Sequence, residues 1–95
     1  MKTIRWNTDK ATWLKKQPGR NNVGFEECAV LIEAEDILDD IANPSKNFPT
    51  QRAFVLAVEG YVYLVPYVED DDGIFLKTVF PNRKMTDLYL GETDP

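Results

Sequence analysis

Two strand-like segments separated by a two-residue connection constrain the fold of this chain more than any other feature. The segments 53–58 and 61–68 are rich in β-branched and aromatic residues, which favour strands. Only Glu59 and Gly60 lie between them. A connection of this length predicts an antiparallel β-hairpin, and the turn then fixes which residues of the two strands face each other.

This register divides the hairpin into two unequal faces. The first face carries the aromatic residues and one arginine: Arg52, Phe54, Leu56, Val58, Tyr61, Tyr63, Val65 and Tyr67. The second face is small and aliphatic: Ala53, Val55, Ala57, Val62, Leu64 and Val68. We expect helices to cover the aliphatic face, which leaves the tyrosines accessible. Pro66 lacks a backbone donor, so we expect a bulge or frayed pairing there.

A third strand, Ile74 to Phe80, completes a predicted meander that runs from Arg52 to Phe80. A five-residue loop, Glu69 to Gly73, pairs Val68 with Ile74 and places Lys77 on the tyrosine face. A four-residue loop would turn Lys77 toward the aliphatic face, where burying an unpaired ammonium group costs several kcal/mol. We therefore favour the five-residue loop.

Capping residues and apolar spacing predict three helices outside the meander. They run from Asn7 or Thr8 to Lys16, with Pro18 and Gly19 after it, from Phe25 to about Ala34, and from Arg83 to Leu90 between Asn82 and Gly91. Ile37 to Ile41 is a helix end or a short edge strand, and Asn43 to Thr50 is a loop. The sequence thus predicts one α+β domain over 1–95, with N-terminal helices on a three- to four-stranded antiparallel sheet and a short C-terminal helix.

Composition excludes several classes of function. The chain contains no histidine, which removes Ser-His-Asp and Cys-His catalytic sites and the common histidine metal sites. It has no glycine-rich phosphate loop, and we expect neither a metal nor a cofactor. Cys28 lies in an apolar helical pattern and reads as a core residue. No apolar run approaches the ~20 residues that span a bilayer, so we expect a cytoplasmic protein without membrane contact.

The predicted tyrosine face is the strongest candidate for a functional surface. It brings together Arg52, Tyr61, Tyr63, Tyr67 and Lys77, with Arg83 and Lys84 at the start of the last helix. Arginine and a helix N-terminus bind phosphate oxygens, and tyrosine rings stack on the bases of single-stranded RNA. Alternatively, the tyrosines pack a second layer and the basic residues only keep the chain soluble. A net charge of −5 opposes undirected attraction to RNA.

Several short segments resemble the BrnT-type toxins of bacterial toxin–antitoxin systems. They are Arg5-Trp6-Asn7 with Lys10 and Leu14, the run 24–27, the run 60–65 and the run 75–84. The resemblance implies a RelE-like fold and ribonuclease activity that a DNA-binding antitoxin neutralises. By position, Trp6 and Lys10 match the opening helix signature of that family, and Arg83 and Lys84 match its basic pair after the last strand.

The resulting hypothesis is a toxin-like, metal-independent endoribonuclease that cleaves single-stranded RNA or mRNA and binds a ribbon-helix-helix antitoxin. Arg52 and Arg83 would stabilise the charge at the phosphorus, and Lys77, Lys84 or a tyrosine would transfer the proton. The main alternative is a catalytically inactive module that binds a protein partner through the tyrosine face or the acidic segment 33–40. A third alternative is a homo-oligomer formed through an exposed sheet edge.

Overall fold

The computed structural model describes residues 3–18, 23–44 and 51–91. Its elements are β1 (Thr3–Trp6), α1 (Thr8–Lys15), α2 (Phe25–Glu33), β2 (Asp39–Ala42), β3 (Arg52–Val58), β4 (Tyr61–Asp70), β5 (Gly73–Leu76), β6 (Phe80–Pro81) and α3 (Arg83–Leu90). The sheet order is β1-β5-β4-β3-β2, and β6 pairs with β4. The α+β class is confirmed. In the described ranges, no helix combines the length and apolar character that crossing a membrane requires.

The β3–β4 hairpin has the predicted register. Arg52 pairs with Tyr67 and Val58 with Tyr61, and all the pairs between them follow without a slip. Glu59 and Gly60 have φ angles of 52° and 81°. Positive φ at both central residues defines a type I′ turn, whose twist matches that of the flanking strands. The local turn chemistry therefore determines the centre of the sheet.

The described residues form a mixed sheet of six strands, so the prediction of a three- to four-stranded antiparallel sheet is wrong. Strand β1 pairs with β5 in parallel, from Thr3 opposite Gly73 to Trp6 opposite Leu76. A parallel neighbour needs a long crossover instead of a hairpin, so no turn signal in the sequence points to it. The segment 3–6 is also short, which hid its strand character.

The register predicted for the third strand is wrong by one residue. Strands β4 and β5 are joined by a tight turn, and Val68 pairs with Phe75 instead of Ile74. The Asp70 carboxylate holds this turn by accepting the backbone N–H groups of Asp72 at 2.8 Å and Gly73 at 3.1 Å. Lys77 therefore lies on the aliphatic side of the sheet, but its side chain remains exposed because β5 ends at Leu76.

The third strand is interrupted opposite Pro66, as the missing donor predicts. Tyr67 pairs with Leu76. In an unbroken antiparallel ladder, Leu64, three residues before Tyr67, would therefore pair with Val79, three residues after Leu76. Leu64 instead pairs with Phe80 in β6, which means that the third strand contains one extra residue. The ladder to β3 runs through Pro66 without a break. The interruption thus falls on the β5–β6 side alone.

The three predicted helices are present, with ends within one residue of the prediction. Asn7 caps α1 by accepting the Lys10 N–H at 2.9 Å, and Asn82 caps α3 by accepting the Met85 N–H at 2.8 Å. The ambiguous segment 37–41 contributes to the edge strand β2. Residues 45–50 of the predicted loop Asn43 to Thr50, and residues 19–22 between α1 and α2, lie outside the described residues.

Helices cover both faces of the sheet: α3 covers the aliphatic face, as expected, but α1 and α2 cover the tyrosine face, which we expected to be open. The core beneath α1 and α2 contains residues of the tyrosine face, namely Phe54, Leu56, Tyr63, Val65 and Tyr67, together with Leu14, Phe25, Cys28 and Ile32. The aliphatic residues Val55, Val62 and Leu64 pack instead against Met85, Tyr89 and Leu90 of α3. The tyrosine face carries the larger side chains, and covering it removes more apolar area from water.

At Asp40, side chains already bond to the backbone groups on the outer edge of β2. The backbone N–H of Asp40 donates to Asp39 Oδ1 at 2.8 Å, and its carbonyl oxygen accepts from the Arg52 guanidinium. Both backbone polar groups of Asp40 are therefore already bonded within the chain. Strand addition by another molecule would have to break these bonds, which protects this edge from pairing.

Candidate functional site

The tyrosines do not form an exposed stacking surface. Tyr63 is 1% exposed and Tyr67 is 4% exposed, both beneath the N-terminal helices. Tyr61 is partly exposed and meets the Tyr63 ring edge-on, with the ring centroids 6.0 Å apart. Trp6 stacks on Phe25 of α2 at 5.8 Å. The expectation that these rings are accessible to bases is wrong for Tyr63 and Tyr67, because they belong to the core.

Arg52 belongs to a hydrogen-bonded network with Asp40 and Tyr67. Arg52 Nε donates to Asp40 Oδ1 at 2.9 Å, and the Tyr67 hydroxyl donates to Asp40 Oδ2 at 2.7 Å. Burial, followed by the bond to Asp40, raises the pKa of Tyr67 to about 12, and the bond to Asp40 raises the pKa of Arg52. Tyr67 therefore stays protonated at neutral pH and is unsuited to act as a base. The network links β2 to the central strands.

Arg83 and Lys84 are exposed in the first turn of α3, which lies on the other side of the sheet from the tyrosine face. They do not join Arg52, Tyr63 or Tyr67, so the predicted catalytic group is split between two faces. Positive charge near a helix N-terminus opposes the helix dipole. Helix stability therefore does not account for two basic residues at this position.

Two of the predicted site residues do meet, in a cavity that we name the lysine cavity. Lys10 extends to it from α1, and Lys77 reaches it from the segment that follows β5. The cavity has a volume of about 500 Å³. Its described lining residues are Lys10, Asn43, Gln51, Pro66, Lys77, Thr78 and Phe80. The interrupted third strand contributes Lys77, Thr78 and Phe80, so the extra residue opposite Pro66 shapes this site.

The charge of the lysine cavity is opposite in sign to that of the chain. The whole sequence has a net charge of −5, but the described lining residues include two lysines and no acid. Lys10 Nζ lies over the Trp13 ring at 4.7 Å, and Lys77 Nζ lies over the Phe75 ring at 5.4 Å. Within the described residues, neither ammonium group forms a salt bridge, whereas Arg5, Lys15 and Arg52 each do.

We compared the chain with protein-family models, with curated proteins and with solved structures, and none of the three comparisons gave a match. The resemblance to BrnT-type toxins accordingly stays a prediction. The lysine cavity is identified by its geometry alone.

Two amide side chains of the cavity were not predicted as site residues. Asn43 follows β2 and Gln51 precedes β3, and Asn43 Nδ2 donates to Gln51 Oε1 at 3.3 Å. They are brought together because Asn43 N–H also bonds to the Gln51 carbonyl oxygen at 2.9 Å, which extends the β2–β3 ladder. In the sequence, the only sign that these two residues meet is that both flank a proline-containing loop. That signal does not reveal which strands pair.

In the part of the chain that the structure describes, no group of three or more acidic or cysteine side chains is placed to hold a metal ion. Cys28 is fully buried, and burial raises the pKa of its thiol to about 12. A thiol in this state is a poor nucleophile at neutral pH. The site chemistry of the described residues is therefore that of ammonium groups, amides and a hydroxyl group.

Proposed function

We propose that this chain is a small binding domain, without catalytic activity, that takes an anionic ligand into the lysine cavity. The observation that carries the proposal is that two lysines line one cavity whose described lining contains no acid. Lysine binds phosphate and carboxylate groups as a point charge, and the neighbouring amides and hydroxyl add directed hydrogen bonds. An anion here would offset the repulsion between Lys10 and Lys77.

The distribution of the remaining polar groups favours binding over catalysis. Acid–base chemistry requires a donor and an acceptor within hydrogen-bond reach of one reacting group. Arg52 and Tyr67 are occupied by Asp40, and Tyr67 keeps its proton. The described lining of the cavity offers no carboxylate, histidine or thiol to act as a base.

We predict that the double substitution K10Q/K77Q abolishes or strongly weakens anion binding. Removing two charge-assisted contacts, worth about 1.5 to 3 kcal/mol each before screening by solvent, lowers affinity by roughly tenfold or more. Titration calorimetry with inorganic pyrophosphate measures this directly. The wild-type chain should bind the probe, with an affinity that falls as salt concentration rises.

The matched control is K16Q/K84Q, which removes the same number of positive charges from two exposed lysines that do not line the cavity. It should bind pyrophosphate as the wild type does. Equal losses in both double variants would mean that net charge, and not the cavity, governs binding. Absence of binding by the folded wild-type chain would contradict the proposal outright.

A second candidate function is a toxin-like, cytoplasmic endoribonuclease with a RelE-like fold, partnered by a ribbon-helix-helix antitoxin. Two observations favour it. Lys10 and Lys77 share one cavity, and Arg83 and Lys84 occupy exposed positions that helix stability does not explain. In this function the arginine stabilises charge at the phosphorus of single-stranded RNA, and a lysine transfers the proton.

Induced expression in a bacterial host tests this second candidate. The toxin function predicts growth arrest, loss of intact mRNA, and relief of both by Arg83→Ala. Arg83 is exposed, so its replacement should leave folding intact, and the soluble yield of the variant checks this. Growth at the uninduced rate, or arrest that persists in Arg83→Ala, would exclude this assignment of Arg83.

A further inference from the structure

We propose that the ligand of the lysine cavity is a nucleoside monophosphate. This inference rests on the proposed binding function and specifies its ligand. A volume of about 500 Å³ lies within the range of small-molecule sites. The lining divides into a cationic part, an apolar part and an amide part, which correspond to the three parts of such a ligand.

The cationic part suits the phosphate group. Lys10, Lys77 and Thr78 line the cavity, and the flexible lysine side chains can turn their ammonium groups toward a bound anion. A phosphate monoester carries between one and two negative charges at neutral pH. Two lysines and a hydroxyl group therefore match both its charge and its acceptor oxygens.

The apolar part suits a flat heterocycle. Phe80 and Pro66 line the cavity, and Phe80 is only partly buried where it packs on the cluster around Leu64. An aromatic ring in a cavity wall offers stacking to any base, because every base has a π face. An inorganic anion or a short dicarboxylate would leave this wall uncovered.

The amide part suits the polar edge of a base. Gln51 lines the cavity and its Oε1 accepts from Asn43 Nδ2, which leaves Nε2, unbonded among the described residues, as the donor of this side chain. Side-chain amides recognise base edges through such donors. The bond to Asn43 also holds the Gln51 side chain in place, which lowers the entropy lost on binding.

On the β5 side of the cavity, the charges favour a single nucleotide over a strand. The acidic turn Asp70–Asp72 precedes β5 and lies about 16 Å from Lys77 at strand spacing. Arg5, the next cation in this direction, is already paired with Asp70 at 3.3 Å. A polymer that left the cavity along this path would place its phosphates beside carboxylates.

Calorimetric titration of the full chain with AMP, UMP, ribose 5-phosphate and pyrophosphate tests the proposal. We expect the nucleotides to bind about tenfold more tightly than ribose 5-phosphate, because only they carry a base. Phe80→Leu should remove most of this difference while leaving ribose 5-phosphate affinity within about twofold. Phe80→Tyr keeps the ring and should retain nucleotide binding, which separates stacking from any loss of stability.

The outcomes distinguish this inference from the function on which it rests. Pyrophosphate binding with equal affinities for ribose 5-phosphate and the nucleotides would overturn the nucleotide assignment and leave the anion site intact. Failure of all four probes would remove both proposals. A ten-residue oligouridylate that binds more tightly than UMP, with the same dependence on Lys10 and Lys77, would overturn the single-nucleotide assignment in favour of a polymer.

Discussion

Replacing Tyr63 by alanine should lower the free energy of unfolding by about 3 to 5 kcal/mol. Tyr63 is 1% exposed, lies in β4 and contributes to the core beneath α1 and α2. Its removal leaves a cavity that closely packed neighbours fill only in part. For a domain with a total stability of roughly 5 to 15 kcal/mol, such a loss threatens folding at 37 °C. Urea denaturation followed by circular dichroism measures it.

Tyr61→Ala is the matched control for this experiment. It removes the same side chain from the same strand and the same face, but from a partly exposed position beside the turn. We expect a loss of about 1 kcal/mol. Similar small losses in both variants would mean that the tyrosine face is open to solvent, and would restore it as a candidate binding surface.

Replacing Gly73 by alanine should cost about 3 kcal/mol or more and detach β1 from the sheet. Gly73 has a φ of 134°, which L-residues rarely adopt. A Cβ atom there would also overlap the carbonyl oxygen of Thr3 and lie 3.0 Å from the Thr3 nitrogen. Strain and collision thus act together, and the neighbouring backbone cannot move without breaking the β1–β5 pairing.

Gly60→Ala separates strain from collision. Gly60 has a φ of 81°, but an added Cβ atom would have no neighbour within 4 Å. It should cost only the conformational strain, about 1 to 2 kcal/mol. Amide hydrogen exchange reports the fate of β1, because the N–H groups of β1 that bond to β5 should lose protection in Gly73→Ala and keep it in Gly60→Ala. Protection retained in both variants would contradict the predicted detachment.

Features set by neighbouring residues were predictable from the sequence. The β3–β4 register follows from the two residues of its turn, and the ends of α3 follow from Asn82 and Gly91. The interruption opposite Pro66 follows from one missing donor. In each case the decisive chemistry lies within a few residues of the feature itself.

Features set by competition between distant parts of the chain were not predictable. The choice of which sheet face the N-terminal helices cover depends on total buried area, and the larger side chains of the tyrosine face decided it. The β4–β5 register depends on the Asp70 side chain accepting two backbone N–H groups, which shortens the turn. Strand β1 depends on a partner near the other end of the chain.

The residues of the lysine cavity were likewise only partly predictable from the sequence. Lys10 and Lys77 were identified as functional residues, but from a family resemblance and from a wrong register respectively. The structure brings them together because the third strand contains an extra residue after Leu76. Asn43 and Gln51 join them only through the β2–β3 pairing, which no turn signal in the sequence indicates.

The parallel pairing of β1 with β5 has a consequence for synthesis on the ribosome. The residues of β1 leave the ribosome before the rest of the sheet, and their partner is made only after the central hairpin is complete. Until then the nascent chain carries Ile4 and Trp6, two residues that the finished protein packs against its core, without their strand partner. Contacts between distant parts of a chain form slowly, and exposed apolar segments promote aggregation in the meantime. Newly made chains should therefore depend on chaperones until β5 has emerged.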